Sequence, residues 1–260
     1  MGALKRVCYI VVSVILSAIG CSRPEVTITY DGSAQVELVS SKGTRVVVDL
    51  SMLDMLTTRM TESDILLTTH DHTDHFLANY SAVFKGTKME MREGELSIND
   101  VYIRGIKSES EWLNTGSGHA VPFGATGRMD NYIYIIDMDG VRIAHFGDIV
   151  QPNFTAEQLS KIGKVDVAIM LFDCIWHKVD LKNKIGFQLM KEIRPSIIIP
   201  THFSIAAAEY AKTLWPCYYT EKKTIQIRKG RHVPRKTCLL LLGYSNTSYA
   251  ELIHAAEWKN

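Results

Sequence analysis

The residues His70-Asp71-His72-Thr73-Asp74-His75 follow directly on the apolar run Ile65-Leu66-Leu67-Thr68. Three imidazoles and two carboxylates in six positions constrain the fold more than any other stretch of this chain. Imidazole nitrogen and carboxylate oxygen are the ligands that borderline divalent metals accept, and a tight turn leaving a strand can aim several of them at one point. A solvated polar turn has no need of such a density of ligands. One run of six residues cannot close a two-metal site alone, so the fold has to bring further ligands to it from elsewhere in the chain.

Before the cluster the pattern is period-two. Val26, Thr27, Ile28 and Tyr30 lead to a turn at Asp31-Gly32-Ser33, then come Val36-Glu37-Leu38-Val39, a turn at Ser41-Lys42-Gly43, and the run 45–50 ending Asp49-Leu50. That is a strand meander. Residues 51–60 read as a short helix, and a helix-like segment runs from His75 towards Val83. Two hairpin-like pairs are expected over 88–106 and 131–146, the second turning at Asp139-Gly140.

After Asp148 helices alternate with strands. Thr155-Ala156-Glu157-Gln158 matches a capping box and opens a helix closed by Gly163. Val165 to Phe172 reads as a buried strand and 181–193 as a helix. A strand at Ile197-Ile198-Ile199 is stopped by Pro200, and a helix over 205–215 by Pro216. Strands at 224–228 and 237–243 and a helix near 248–258 complete the chain. A meander half followed by a strand-helix half predicts two sheets with helices outside, and no linker divides them.

Three further ligand candidates stand where strands end. His119 precedes the second hairpin, Asp148 closes the run His145-Phe146-Gly147-Asp148, and His202 follows Pro200-Thr201. Loops leaving one end of a sheet are where such groups converge.

A chain of 260 residues with 46% hydrophobic content can bury a large core, and its net charge of +1 gives no electrostatic footprint for a polyanion. No nucleic-acid partner is expected. Residues 1–21 form a separate object: Lys5 and Arg6, an uncharged run from Val7 to Gly20, then Cys21. The run is shorter than the about 20 residues of a membrane span and reads as an export signal. Ser17-Ala18-Ile19-Gly20-Cys21 resembles a bacterial lipobox, although Ala18 stands where Leu is usual. The expectation is an exported protein of the bacterial cell envelope, held to the membrane by a lipid on Cys21, with one functional domain over 22–260. Cys174, Cys217 and Cys238 have no paired spacing, so one disulfide with one thiol and three buried thiols both remain open.

Taken together, Asp49 after a hydrophobic strand, the H-x-H-x-D-H run at 70–75, a His before the middle hairpin, Gly147-Asp148, and Pro200-Thr201-His202 resemble the metallo-β-lactamase superfamily over residues 25–243. Asn131, Gly140 and the stretches 142–149, 159–170 and 197–202 look most like its ascorbate-phosphate-lactonase-like branch. The resemblance implies an α/β fold, a four-layer αββα sandwich of two mixed β-sheets with outer helices. It implies one divalent ion on His70, His72 and His119, a second on Asp74, His75 and His202, and Asp148 bridging them. Residues 107–118 look like an insertion before His119, with Ser108 or Ser110 at the position where the family's third imidazole usually sits. By family position Asp49 supports the ligand loop without being a ligand, and His145 lies behind the site.

A divalent ion lowers the pKa of water from about 15.7 towards 7, so the expected reaction is hydrolysis at a carbonyl or phosphorus centre. Asp74 would orient the water or accept its proton. No G-x-S-x-G elbow or phosphate-cradling G-x-x-x-x-G-K loop competes with this reading. Lactone, ester and phosphoester substrates fit it best. Zinc leads, manganese and iron being admissible to the same nitrogen and oxygen ligands. Substrate contacts are expected from 107–124, with Trp112 and Phe123, and from 173–187, with Trp176, His177 and Lys178; packing of the loops accounts equally well for these tryptophans. Two other classes stay open, a di-iron redox protein of the same fold and a non-catalytic metal-containing binding lipoprotein.

Overall fold

The computed structural model describes residues 24–113, 126–174 and 179–243, with only the backbone described for 111–113 and 126–128. The leader with Cys21, His119, Phe123, the stretch 175–178 with Trp176, His177 and Lys178, and the helix expected near 248–258 lie outside the described residues.

The meander forms as the alternation requires: β1 (Val26–Gly32), β2 (Gln35–Val39) and β3 (Arg45–Val48) pair antiparallel. β4 (Ile65–Thr68) then joins β3 in parallel, and β5 (Thr87–Glu90) joins β4 in parallel after the short helix α1 (Ala78–Val83). The chain next crosses to a second sheet through the hairpins β6 (Gly94–Ile98), β7 (Val101–Leu113), β8 (Thr126–Met138) and β9 (Val141–His145). α2 (Ala156–Ile162), β10 (Val167–Leu171), α3 (Ile185–Ile193), β11 (Ile197–Thr201) and α4 (Ile205–Lys212) alternate as expected. β12 (Cys217–Thr220), β13 (Thr224–Ile227) and β14 (Cys238–Leu242) complete two mixed sheets, of order β13-β1-β2-β3-β4-β5 and β12-β14-β11-β10-β9-β8-β7-β6.

The sheets face each other across one apolar layer. Ile28, Leu38, Val48, Ile65 and Leu67 of the first sheet meet Ile103, Ile136, Ile143, Val167, Ile169, Ile197 and Ile199 of the second. The alternate residues Ala144, Ala168, Met170 and Ile198 point the other way, onto Phe187 and Met190 of α3 and Ala207 and Ala211 of α4. Coverage on both faces explains why β10 and β11 read as continuous apolar runs. Each Val, Ile, Met or Phe side chain among these, fully buried, contributes about 1.5–3 kcal/mol. On the outer face of the first sheet Val47, Leu50 and Leu66 pack with Leu56, Met60, Tyr80 and Phe84. Helices therefore lie outside both sheets, the αββα arrangement.

Several local expectations are corrected. Residues 51–60 hold only a 3₁₀ turn, Leu53–Met55, because their backbone donors are taken by the sheet. Gln35 Oε1 accepts from the N–H groups of Ser51 and Met52, and Glu37 Oε1 accepts from that of Thr57. Residues 88–106 divide between sheets, β5 pairing with β4 while β6 and β7 form the hairpin. Pro200 does not stop β11, which runs on to Thr201. β14 pairs with β11 only at Ile197 and Ile198, so at Pro200 one flank needs no donor. Residues 107–113 continue the β7–β8 ladder as far as Leu113 and Thr126. Among the described residues no disulfide joins the cysteines, and no helix is long and apolar enough to cross a membrane.

Candidate metal centre

Four strands of the two sheets end at the same place. β3 ends at Val48 and Asp49 follows in the left-handed region (φ 55°), which a short polar side chain tolerates better than a branched one. Its carboxylate accepts from the backbone N–H of Thr69 (2.7 Å) and the Thr69 hydroxyl (2.8 Å), tying the end of β3 to the residue just after β4. From there His75 N–H and Phe76 N–H both donate to the His72 carbonyl, which curls 70–76 into a tight turn.

The end of β9 supplies Asp148. Gly147 (φ 56°) makes the turn, and a Cβ there would overlap Asn131 Oδ1 and lie 2.8 Å from Thr69 Cβ and Oγ1. Only glycine fits this conformation and this approach together. Asn131 holds the turn from both sides: its Nδ2 donates to the Phe146 carbonyl (2.9 Å) and to Ser108 Oγ (2.7 Å), and its Oδ1 accepts from Asp148 N–H (3.2 Å). The end of β11 supplies His202 at φ 40°, with its carbonyl accepting from Asp173 N–H. Backbone strain of this kind concentrates at functional sites.

The side chains converge as two adjoining groups, His70-His72-Asp148 and Asp74-His75-His202, in each of which one ligand atom per residue lies within 4.8 Å of the others. In the first, His70 Nε2 is 3.2 Å from His72 Nδ1 and 3.8 Å from Asp148 Oδ2. In the second, His75 Nε2 and His202 Nε2 are 3.4 Å apart, and they lie 3.7 and 3.5 Å from Asp74 Oδ2. Asp148 reaches this group as well, with Oδ2 3.2 Å from His75 Nε2 and Oδ1 3.7 Å from His202 Nε2. Ligands at about 2.0–2.2 Å around one ion stand about 3–3.6 Å from each other, so these separations and this all nitrogen and oxygen donor set fit a divalent metal.

The imidazoles are also oriented as ligands require. His75 Nδ1 lies 2.8 Å from Asp49 Oδ2, so Nδ1 carries a proton and Nε2 points at Asp74, Asp148 and His202. Burial disfavours the His75 cation, but Asp148 and Asp49 on either side outweigh it and hold its pKa well above the ordinary value. His145 is the contrasting case. Burial pushes its pKa down against the pull of Asp49. Its Nε2–H donates to the Ala34 carbonyl (3.1 Å) and its Nδ1 accepts from Gly147 N–H (3.2 Å). It thus buttresses the Asp148 turn from behind and takes no ligand position.

His70, His75 and Asp148 are fully buried and form the floor, while the His202 and Asp74 side chains are 14% and 45% exposed on the open side. Asp71 is exposed and belongs to neither group. Ser108 and Ser110 are buried in β7, and Ser108 is engaged with Asn131. Sequence reasoning assigned no role to Thr69 or Ser108. The only signal for Thr69 is its place between the last residue of β4 and His70.

The family described as beta-lactamase superfamily domain matches residues 27–202. Among solved structures, a candidate zinc-dependent hydrolase of the metallo-beta-lactamase superfamily from Thermotoga maritima superposes with a TM-score of 0.58 at 18% identity, over 84% of this chain and 98% of that one. A candidate metal-dependent hydrolase from Parabacteroides distasonis gives 0.53 at 17% identity, over 85% and 94%. The metallo-beta-lactamase fold protein YhfI from Bacillus subtilis gives 0.52 at 11%, over 85% and 98%. No curated protein sequence matches the chain. At these identities the structures speak for the fold alone, and the family match covers the meander, the 70–75 turn, Asp148 and His202 together. On that combined ground, the chain belongs to the metallo-β-lactamase superfamily.

Proposed function

We propose that the chain is a metal-dependent hydrolase acting on a small lactone, ester or phosphoester at a two-metal centre. The observation that carries this reading is the pair of adjoining donor groups that share the buried carboxylate of Asp148. His70 and His72 would hold one ion, with His119 as their third partner, and Asp74, His75 and His202 the other. Bound there, the ions would supply Lewis acidity and a water whose pKa falls from about 15.7 towards 7. Zinc is the first candidate, with manganese and iron fitting the same donors.

The residues of this chain divide the remaining work. Asp49 keeps a proton on His75 Nδ1 and so directs Nε2 inward. Asp74 is the more exposed of the two carboxylates in the two groups, and its Oδ2 would orient a water or take its proton. The buried floor excludes solvent from behind, while the open side admits substrate. Trp176 and His177 are proposed as substrate contacts, and the lactonase-like branch as the nearest functional kin. A lipid on Cys21 would hold the enzyme to the cell envelope.

The test is a hydrolysis screen over lactones, esters, phosphodiesters, amides and β-lactams, with metal content measured and Asp74→Asn as control. Turnover that requires metal and falls by at least 100-fold in Asp74→Asn supports the reading. A fully metal-loaded protein inert on every class, or turnover indifferent to Asp74→Asn, rejects it.

A further inference from the structure

Among the described residues Asp49 is the carboxylate that lies behind the ligand turn at hydrogen-bonding distance, and imidazoles of both donor groups need their outer nitrogens held. Asp49 Oδ2 reaches His75 Nδ1 directly at 2.8 Å. His70, in the other group, is served differently. The Thr69 hydroxyl is 3.0 Å from His70 Nδ1 and 2.8 Å from Asp49 Oδ2. A carboxylate can only accept, so the single hydroxyl proton goes to Asp49, and the oxygen is left to accept from His70 Nδ1–H. That fixes the proton of His70 on Nδ1 and turns its Nε2 towards His72 Nδ1 and Asp148. The hydroxyl stands at 3.5 Å from His75 Nδ1, too far to replace the Asp49 contact there.

Thr69 itself has little freedom. It is fully buried, its N–H is bound by Asp49 Oδ1, its carbonyl accepts from Tyr132 N–H beside Asn131, and its Cβ and Oγ1 fill the space a Gly147 side chain would need. We infer that Thr69 is a positioning residue that relays Asp49 to the first donor group only, so that one carboxylate sets the imidazole tautomers of both metal sites by two routes, directly for His75 and through a hydroxyl for His70. The inference rests on the two-ion reading above and adds an asymmetry to it: losing the relay should weaken one ion and spare the other.

Thr69→Val keeps the shape and removes the hydroxyl, and Thr69→Ser restores it. The full-length protein, loaded with zinc, is dialysed against graded chelator and the retained ions are counted. Loss of an outer hydrogen bond to a ligating imidazole typically costs 10–100-fold in metal affinity. Thr69→Val should therefore release one ion at 10–100-fold lower chelator strength and the second as in wild type, with Thr69→Ser close to wild type at both. Cadmium NMR of the cadmium-loaded proteins supplies a second readout, two resonances of which only one moves in Thr69→Val. Equal weakening of both ions, no weakening of either, or a Thr69→Ser protein that behaves like Thr69→Val overturns the relay. A wild type that retains fewer than two ions overturns the two-ion reading and the relay with it, whereas two ions in wild type with an unaltered Thr69→Val remove the relay alone.

Discussion

Asp49→Asn is the substitution whose consequences follow most directly from the geometry. The native carboxylate is fully buried and accepts three hydrogen bonds, from Thr69 N–H at Oδ1 and from the Thr69 hydroxyl and His75 Nδ1 at Oδ2. An amide offers one acceptor and one donor in the same space. With its NH₂ at the Oδ1 position, it meets the Thr69 N–H and leaves a buried donor unsatisfied, at about 1–3 kcal/mol. With the NH₂ at the Oδ2 position, it faces His75 Nδ1 and drives the imidazole proton to Nε2, the atom that points at Asp148, Asp74 and His202. Either way the protein loses. For a chain of this length about 1–3 kcal/mol lowers the melting temperature by about 3–10 °C. Metal affinity should fall about 10–100-fold at the His75 site and, through the Thr69 hydroxyl, at the His70 site as well, each such loss removing a further 1.4–2.8 kcal/mol, roughly, from the metal-loaded form. The loaded protein should accordingly lose more thermal stability than the metal-free one. Scanning calorimetry of both forms, with zinc retention against chelator, makes the comparison. An Asp49→Asn protein that melts and retains metal as wild type does would show that the carboxylate is not what orients these imidazoles.

Two further outcomes are expected. Gly147→Ala places a Cβ against Asn131 Oδ1 and Thr69 at φ 56°, and should cost about 2–4 kcal/mol and displace Asp148; a variant with wild-type melting and metal content would mean the turn tolerates a side chain. Burial pushes the Asp31 carboxyl up to about 6, opposed by Gln35 and reinforced by Glu37, so the folded state holds a proton that the unfolded chain has released between about pH 4 and 6. Stability from this residue therefore declines as pH rises through that window, by about 1–2 kcal/mol after allowance for solvent screening near the turn. Asp31→Asn should melt higher than wild type at pH 8 and converge with it near pH 4; a constant offset across that range would contradict the assignment.

How legible the molecule was in its sequence varied with the range of the controlling interaction. The meander, the Asp139-Gly140 turn and the Thr155-Gln158 capping box depend on neighbours in the chain, and all form as read. Residues 51–60 did not, since the groups that unwind them, Gln35 and Glu37, sit on a strand whose contacts no local pattern displays. β12 escaped notice because its short Cys-Tyr-Tyr-Thr run is an edge strand with two exposed tyrosines and no alternation of burial. At the site, ligand-type residues announce themselves by chemistry, and His70, His72, Asp74, His75, Asp148 and His202 are brought together. Thr69, Asn131 and Ser108 are ordinary polar residues whose importance lies in which atom each faces, and that became readable only with the strand ends in place.

Two ions sharing the Asp148 carboxylate would show up as a count of metal per chain by elemental analysis. Zinc-loaded wild type, His72→Ala and His202→Ala are compared after dialysis against a chelator of intermediate strength. Two ions are expected in wild type and one in each variant, lost from opposite halves of the site. A single ion in wild type, or two retained in His202→Ala, would contradict this expectation.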